Sequence, residues 1–165
     1  MEYHRLIKVC ESTEINITDE MAVAVESATR SQSNSKLWFR YRAGRVTASR
    51  MKAVCRTDAT NTSQSLVKSI CYPESFCFTS QQTTWGCKHE KSARDLYMKA
   101  QKPKHTNLTV QDSGLINPLW PFIGASPDGV LSCTCCGRGT LEIKCPYCHR
   151  EEDIAVASED SKFCL

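Results

Sequence analysis

No apolar run in these 165 residues approaches the roughly 18 that a membrane-spanning helix needs. The opening, MEYHRLIKVC, has no apolar core of the kind that marks a secretory leader, so nothing in it points to export. No internal repeat and no low-complexity segment is present, which excludes solenoids and tethering tracts. Only four histidines occur (His4, His89, His105 and His149), and none is paired as a catalytic histidine would be. Net charge is also small, a formal +3. What remains, 41% hydrophobic and 24% charged residues, reads as a globular domain in a reducing, intracellular setting, the nucleus being compatible.

Cysteine is the exception, at 11 residues. The count is odd and no leader accompanies it, so reduced thiols are the better reading than a disulfide framework. Cys133-x-x-Cys136 and Cys145-x-x-Cys148 have the form of two zinc knuckles, with His149 adjacent. Their separation is shorter than the usual roughly 15–20 residues. Cys145 also extends the apolar stripe of Leu141 and Ile143, which suits a core thiol, so zinc is an alternative and not the favoured reading.

The first half of the chain reads helical and the second half as short strands, an α+β pattern. Thr18 caps a helix through Met21, Val25 and Ala28. Further helices are expected over Lys36 to Ala43, from near Thr47, over Ser65 to Cys71, and from Thr84 to Lys102 ahead of Pro103. Short apolar runs at Leu108–Val110, Leu115–Ile116, Phe122–Ala125, Val130–Leu131 and Leu141–Cys145 lie between turn formers. Residues 1–17 are read as a lead-in and 18–165 as one domain.

Charge is concentrated. From Lys36 to Arg56 there are five arginines, two lysines and no acid, with Trp38, Phe39 and Tyr41 interleaved. Forked guanidinium groups beside aromatics suit a phosphate backbone, although a solvated basic helical face has the same composition. Ser49, close to Arg42 and Arg45 and near a helix start, is chemically suited to a phosphate.

The sharper signal is Gly124-Ala-Ser-Pro-Asp-Gly129 followed by Leu141-Glu-Ile-Lys-Cys-Pro146. On a strand, Glu142 and Lys144 share one face, about 6–7 Å apart, while Leu141, Ile143 and Cys145 share the other. A hairpin brings Asp128 beside Glu142. Two carboxylates and a lysine suit phosphodiester hydrolysis: Asp128, Glu142 and the Ile143 carbonyl as ligands for Mg²⁺ or Mn²⁺, and Lys144 to orient water or stabilise the phosphate. A surface hairpin with a Lys–Glu pair is the plain alternative. Glu90 lies on a helix face with Gly86, Ala93, Tyr97 and Ala100, where an acid needs a partner or a metal; pairing with Lys91 or Arg94 would also satisfy it.

In order along the chain, Arg42-Ala-Gly-Arg-Val-Thr-Ala-Ser49, Trp85-Gly-x-x-x-Glu90-x-x-Ala93 and the two motifs just described resemble the YqaJ-type viral recombinases. These are relatives of phage lambda exonuclease among the PD-(D/E)XK nucleases, and the likeness covers roughly residues 20–148. The resemblance implies a restriction-endonuclease-like core, a mixed β-sheet flanked by helices with a helical N-terminal part. It implies Mg²⁺-dependent digestion of linear double-stranded DNA from a 5′-phosphate end, linked to recombination or mobile elements. Asp128 and Glu142 match the metal acids, Lys144 the catalytic lysine and Glu90 the supporting helix glutamate. Arg42, Ser49 and Ser126 match the residues that hold the 5′ phosphate. Toroidal oligomers occur in the family. Its members continue beyond the point where Lys162-Phe-Cys-Leu165 ends this chain, so a C-terminally incomplete domain is expected. The alternatives are a DNA-binding module without turnover and a zinc-bound interaction module.

Overall fold

The computed structural model describes residues 2–76, 79–115, 120–160 and 163. In chain order the elements are α1 (Tyr3–Ser12), α2 (Asp19–Ala28), α3 (Lys36–Arg42), β1 (Val46–Thr47), α4 (Ala48–Arg56), α5 (Gln64–Cys71) and α6 (Gln81–Gln101). There follow β2 (Thr109–Gln111), β3 (Ile123–Gly124), β4 (Gly129–Cys133), β5 (Gly137–Leu141) and α7 (Ile154–Ala157). Ile116, Cys77 and the closing Lys162, Cys164 and Leu165, all weighed from sequence, lie outside the described residues. No helix among the described residues is long and apolar enough to cross a membrane.

Capping chemistry sets the helices. Thr18 Oγ1 accepts the Met21 amide and begins α2, with Asp19 and Glu20 in its first turn. The longest helix, α6, starts three residues before the expected Thr84, because Ser80 and Thr83 cap it reciprocally: the Thr83 amide donates to Ser80 Oγ at 3.2 Å and the Ser80 amide to Thr83 Oγ1 at 2.8 Å. Threonine here takes the place usually held by Glu or Gln. Residues 3–12, inside the segment read as a lead-in, form a helix of their own.

The chain forms two compact units. One comprises Met1–Pro73 with Gly114–Ser126. Its strands β1 and β3 pair in parallel, Val46 with Ile123 and Thr47 with Gly124. Leu115 is its buried anchor, 1% exposed. The Leu115 amide donates to Thr29 Oγ1 at 2.8 Å, and that fully buried hydroxyl donates to the Val25 carbonyl at 2.6 Å, at the end of α2.

The other unit comprises Glu74–Ser113 with Pro127–Leu165. It holds α6 and an antiparallel sheet in the order β2-β4-β5. Gly129 opens β4 opposite Leu141, and Cys133 closes it opposite Gly137. A Cβ at Gly129 would lie 2.9 Å from Val110 Cγ2 and 3.3 Å from the Gln111 carbonyl, so close approach of β2 demands glycine there. The turn of Thr134, Cys135 and Cys136 ends on Gly137 at φ +84°, a left-handed position after a three-residue loop.

The expected strand over Leu141–Cys145 ends at Leu141. β4 starts at Gly129, so the ladder has no partner beyond that pair. The Ile143 amide is taken by the Asp128 side chain instead. The two-face alternation inferred for Glu142 to Cys145 therefore does not hold.

Candidate functional site

Three side-chain groups emerge. The first lies in the unit with β1 and β3. Arg42, at the end of α3, directs Nη2 to Thr47 Oγ1 at 3.2 Å and Ser49 Oγ at 3.4 Å, and those two hydroxyls are 3.2 Å apart. The Arg42 guanidinium lies over the Trp38 ring at 3.9 Å. The Trp38 indole N–H donates to Ser126 Oγ at 2.9 Å. Arg42, Ser49 and Ser126 are thus joined through Thr47 and Trp38, neither of which had been assigned a site role. The β1–β3 pairing explains this: it lays Thr47 beside Gly124, two residues before Ser126. Arg45 turns elsewhere, donating to the Tyr41 carbonyl at 2.5 Å.

The second group lies in the unit with β2, β4 and β5. The β4–β5 register carries Asp128 and Glu142 to facing positions, one residue beyond the Gly129–Leu141 pair. The Ile143 amide donates to Asp128 Oδ2 at 2.5 Å, so it is the amide of Ile143 that faces this acid. Lys144 Nζ forms an ion pair with Glu142 Oε1. Glu90 projects from α6 into the same field. Burial pushes its pKa above the ordinary 4.5, and the charges of Asp128 and Glu142 push it further, against the pull of Arg94 and Lys144. Burial likewise raises Asp128, opposed by the Ile143 hydrogen bond. Cys145 is half-buried, its thiol pushed up by burial and then by Glu90 and Asp128.

Raised carboxyl pKa values carry a stability sign. Protonation favours the folded state, so the contribution is present below the unfolded value near 4.5 and lost as pH rises through the folded value. Glu90→Gln is therefore expected to raise Tm at pH 7 by about 1–3 °C, solvent screening keeping the gain small, and to leave it unchanged at pH 4. Paired thermal melts at the two pH values check this. An equal shift at both would contradict an electrostatic origin.

The third group was not foreseen. His105 Nδ1 lies 3.7 Å from Cys133 Sγ, 3.5 Å from Cys135 Sγ and 3.6 Å from Cys136 Sγ. Cys135 Sγ is 3.5 Å from Cys133 Sγ and 3.7 Å from Cys136 Sγ, and all four donor atoms fall within 4.8 Å of one another. A zinc tetrahedron with Zn–S near 2.3 Å and Zn–N near 2.0–2.1 Å has edges of about 3.6 Å between N and S and about 3.8 Å between sulfurs. The Cys136 amide donates to Cys133 Sγ at 3.3 Å, supporting a thiolate. Hydrogen bonds from the Thr106 backbone and then His105 pull Cys135 down to about 6, whereas its neighbouring sulfurs push Cys136 up to about 11.

Two expectations are corrected here. Mg²⁺ or Mn²⁺ had been expected on Asp128, Glu142, Glu90 and the Ile143 carbonyl. Among the described residues, the group whose ligand atoms converge is instead His105, Cys133, Cys135 and Cys136. Thiolate and imidazole donors select zinc over the hard cations. In the acid group, Asp128 and Glu142 are each already engaged, by the Ile143 amide and by Lys144. The zinc knuckles had been drawn as Cys133, Cys136, Cys145 and Cys148; Cys145 and Cys148 lie outside the converging group, and Cys135 and His105 take their places.

A model of the YqaJ-like viral recombinase domain matches residues 37–161. Among solved structures, the alkaline exonuclease LHK-Exo of Laribacter hongkongensis is 32% identical with a TM-score of 0.51, over 68% of this chain and 54% of that one. The same enzyme in complex with dAMP gives 31% and 0.52, over 69% and 55%. The chain thus spans about half the length of that enzyme. The fold held in common is a mixed α+β, restriction-endonuclease-like core with N-terminal helices. No curated protein matches.

Proposed function

This chain belongs to the YqaJ-like viral recombinase domain family, and from that premise we propose that it is a zinc-bound, DNA-binding module of nuclease descent, with residues 18–165 acting as one domain. The observation that carries the reading is the convergence of the His105, Cys133, Cys135 and Cys136 donors within 4.8 Å of one another. Kinship with an exonuclease supplies the DNA, and the Arg42–Thr47–Ser49 group supplies a fit for a 5′ phosphate: a forked cation beside two hydroxyls.

Metal analysis of protein purified without chelator tests the first part, with about one equivalent of zinc expected. Less than a tenth of an equivalent would end it. For the second part, Arg42→Ala is expected to weaken binding to a 5′-phosphorylated duplex about tenfold, in keeping with loss of a charge-assisted hydrogen bond. Binding to the 5′-hydroxyl duplex should barely change. Equal losses on both ends, read by anisotropy at fixed salt, would remove the phosphate role.

A second reading is hydrolysis, favoured by the raised pKa values of Glu90 and Asp128 in a group that also holds Glu142 and Lys144. A carboxylate of raised pKa suits a general base that takes a proton from water, and Lys144 suits the charge that builds on phosphorus. The activity would be exonucleolytic digestion of linear duplex DNA from its 5′ end, in recombination or in the traffic of mobile elements. Homo-oligomers belong to this same family reading, and a nuclear setting is compatible with it. Cleavage of 5′-phosphorylated linear duplex, lost about a hundredfold or more in Asp128→Ala and in Lys144→Ala, would establish it. Salt-sensitive binding with no cleavage returns the assignment to the binding module.

A further inference from the structure

We infer that the His105–Cys133–Cys135–Cys136 centre is a clamp for the acid–lysine group: one zinc ion ties the end of the helix bearing Glu90 to the tip of the hairpin whose base presents Asp128 and Glu142. The inference rests on the zinc reading above and extends it to a purpose.

Connectivity places the centre where it can act on all three acids. Glu90 is on α6, which ends at Gln101; a single turn, Lys102–Lys104, leads directly to His105. β4 begins one residue after Asp128 and ends on Cys133. β5 begins immediately after Cys136 and ends one residue before Glu142. The two strands therefore run unbroken from the metal ligands at the tip to the carboxylates at the base.

β5 needs outside help to hold its register. It contains Gly137 and Gly139, and of its five residues only Leu141 is buried. A glycine-rich strand without a buried face is poorly protected against slipping by one residue, and such a slip reverses every side chain. Here it would carry Glu142 and the Ile143 amide away from Asp128. Register in a hairpin is then set by its turn, and this turn with the last residue of β4 contributes three of the four ligands. Without metal, the junction between the tip and the residues beside His105 rests on hydrogen bonds, among them the Thr134 amide and hydroxyl on the Thr106 carbonyl, at 2.9 and 3.1 Å. A tetrahedral ion fixes the same junction by four bonds.

Hydrogen exchange on the full chain tests the clamp. The Ile143 amide, bonded to Asp128, reports the base of the hairpin, and the Leu115 amide, bonded to Thr29, serves as reference. Samples are the zinc-loaded protein, the chelator-stripped protein, and Cys136→Ser, which removes one exposed ligand. Both metal-depleted samples should exchange Ile143 at least about tenfold faster, beyond any change at Leu115, and zinc should restore only the stripped wild type. If no zinc binds, this inference and the zinc reading fall together. If zinc binds and Ile143 exchange stays the same, the clamp is wrong and the zinc reading stands. Equal acceleration at both amides would make zinc a general stabiliser and overturn the clamp.

Discussion

Stripping zinc from the full chain should lower Tm by about 10 °C. A ligand held at a thousand times its Kd adds about 4 kcal/mol to folded-state stability. For a chain of this size, 1 kcal/mol corresponds to about 2–4 °C. A four-ligand thiolate site easily meets that affinity, since structural zinc in finger peptides reaches apparent values of about 10–16 kcal/mol at neutral pH. Nor does covalent cross-linking back up the site: Cys133, Cys135 and Cys136 are all free thiols. Cys133→Ser should reproduce the stripped protein, losing both the zinc and the 10 °C, because Cys133 is the buried ligand at the end of β4. Cys148→Ser should keep both, since Cys148 is exposed and outside the converging group. Scanning fluorimetry with metal analysis of each sample decides the matter. Zinc lost from Cys148→Ser as well as from Cys133→Ser would restore the two-knuckle arrangement and remove this one.

That contrast shows what could be read from the residues alone. Cys133-x-x-Cys136 and Cys145-x-x-Cys148 look like matched knuckles when only spacing is counted. The interval between them, however, is occupied by β5, and at about 3.3 Å per residue an extended strand carries Cys145 well away from the tip. The fourth member of the converging group, His105, lies 28 residues before Cys133 and meets it because β2 pairs antiparallel with β4, Thr109 facing Ser132. No local pattern encodes that pairing. The available signal was chemical: Cys133-Thr-Cys-Cys136 crowds three thiols into one turn, which invites a metal and leaves one ligand to be found.

Local chemistry was far more legible. Thr18 as a cap and Pro103 beyond the end of α6 each act within a few residues of themselves, and the structure uses them in those roles. The acid motif was legible in part. Asp128 and Glu142 reach facing positions through hairpin register. The strand that should have carried Lys144 stops at Leu141, because a strand needs a partner and β4 provides none past Gly129. Arg42, Ser49 and Ser126 were each singled out, yet Thr47 and Trp38, which connect them, owe their places to the parallel β1–β3 contact between segments about 75 residues apart in sequence.

Gly114→Ala should cost about 2–6 kcal/mol. Its Cβ would sit 1.9 Å from the Glu26 carbonyl oxygen and 2.5 Å from Thr29 Oγ1. The first of these is backbone of α2 and cannot rotate aside, so the strand of chain at Gly114 must move. Overpacking alone costs about 1–3 kcal/mol. The displacement also breaks the Gly114 amide's bond to Glu26 Oε1, 3.0 Å, and the Leu115 amide's bond to Thr29 Oγ1, 2.8 Å. The second is fully buried, and leaving such a group unsatisfied adds about 1–3 kcal/mol. Leu115, almost wholly buried, would lose its seat as well. From this segment the chain continues to β3 and Ser126, whose hydroxyl accepts the Trp38 N–H beneath the Arg42 guanidinium, so binding of a 5′-phosphorylated duplex should fall with stability. Gly86→Ala is the matched control. It lies within α6 with open space around its Cβ, and alanine there should stabilise by about 0.5–1 kcal/mol. Calorimetric melts should thus move in opposite directions for the two glycines. A Gly114→Ala protein melting with the wild type would mean that the Glu26–Thr29 end of α2 does not hold this segment, and the buried Leu115 anchor would have to be reassigned.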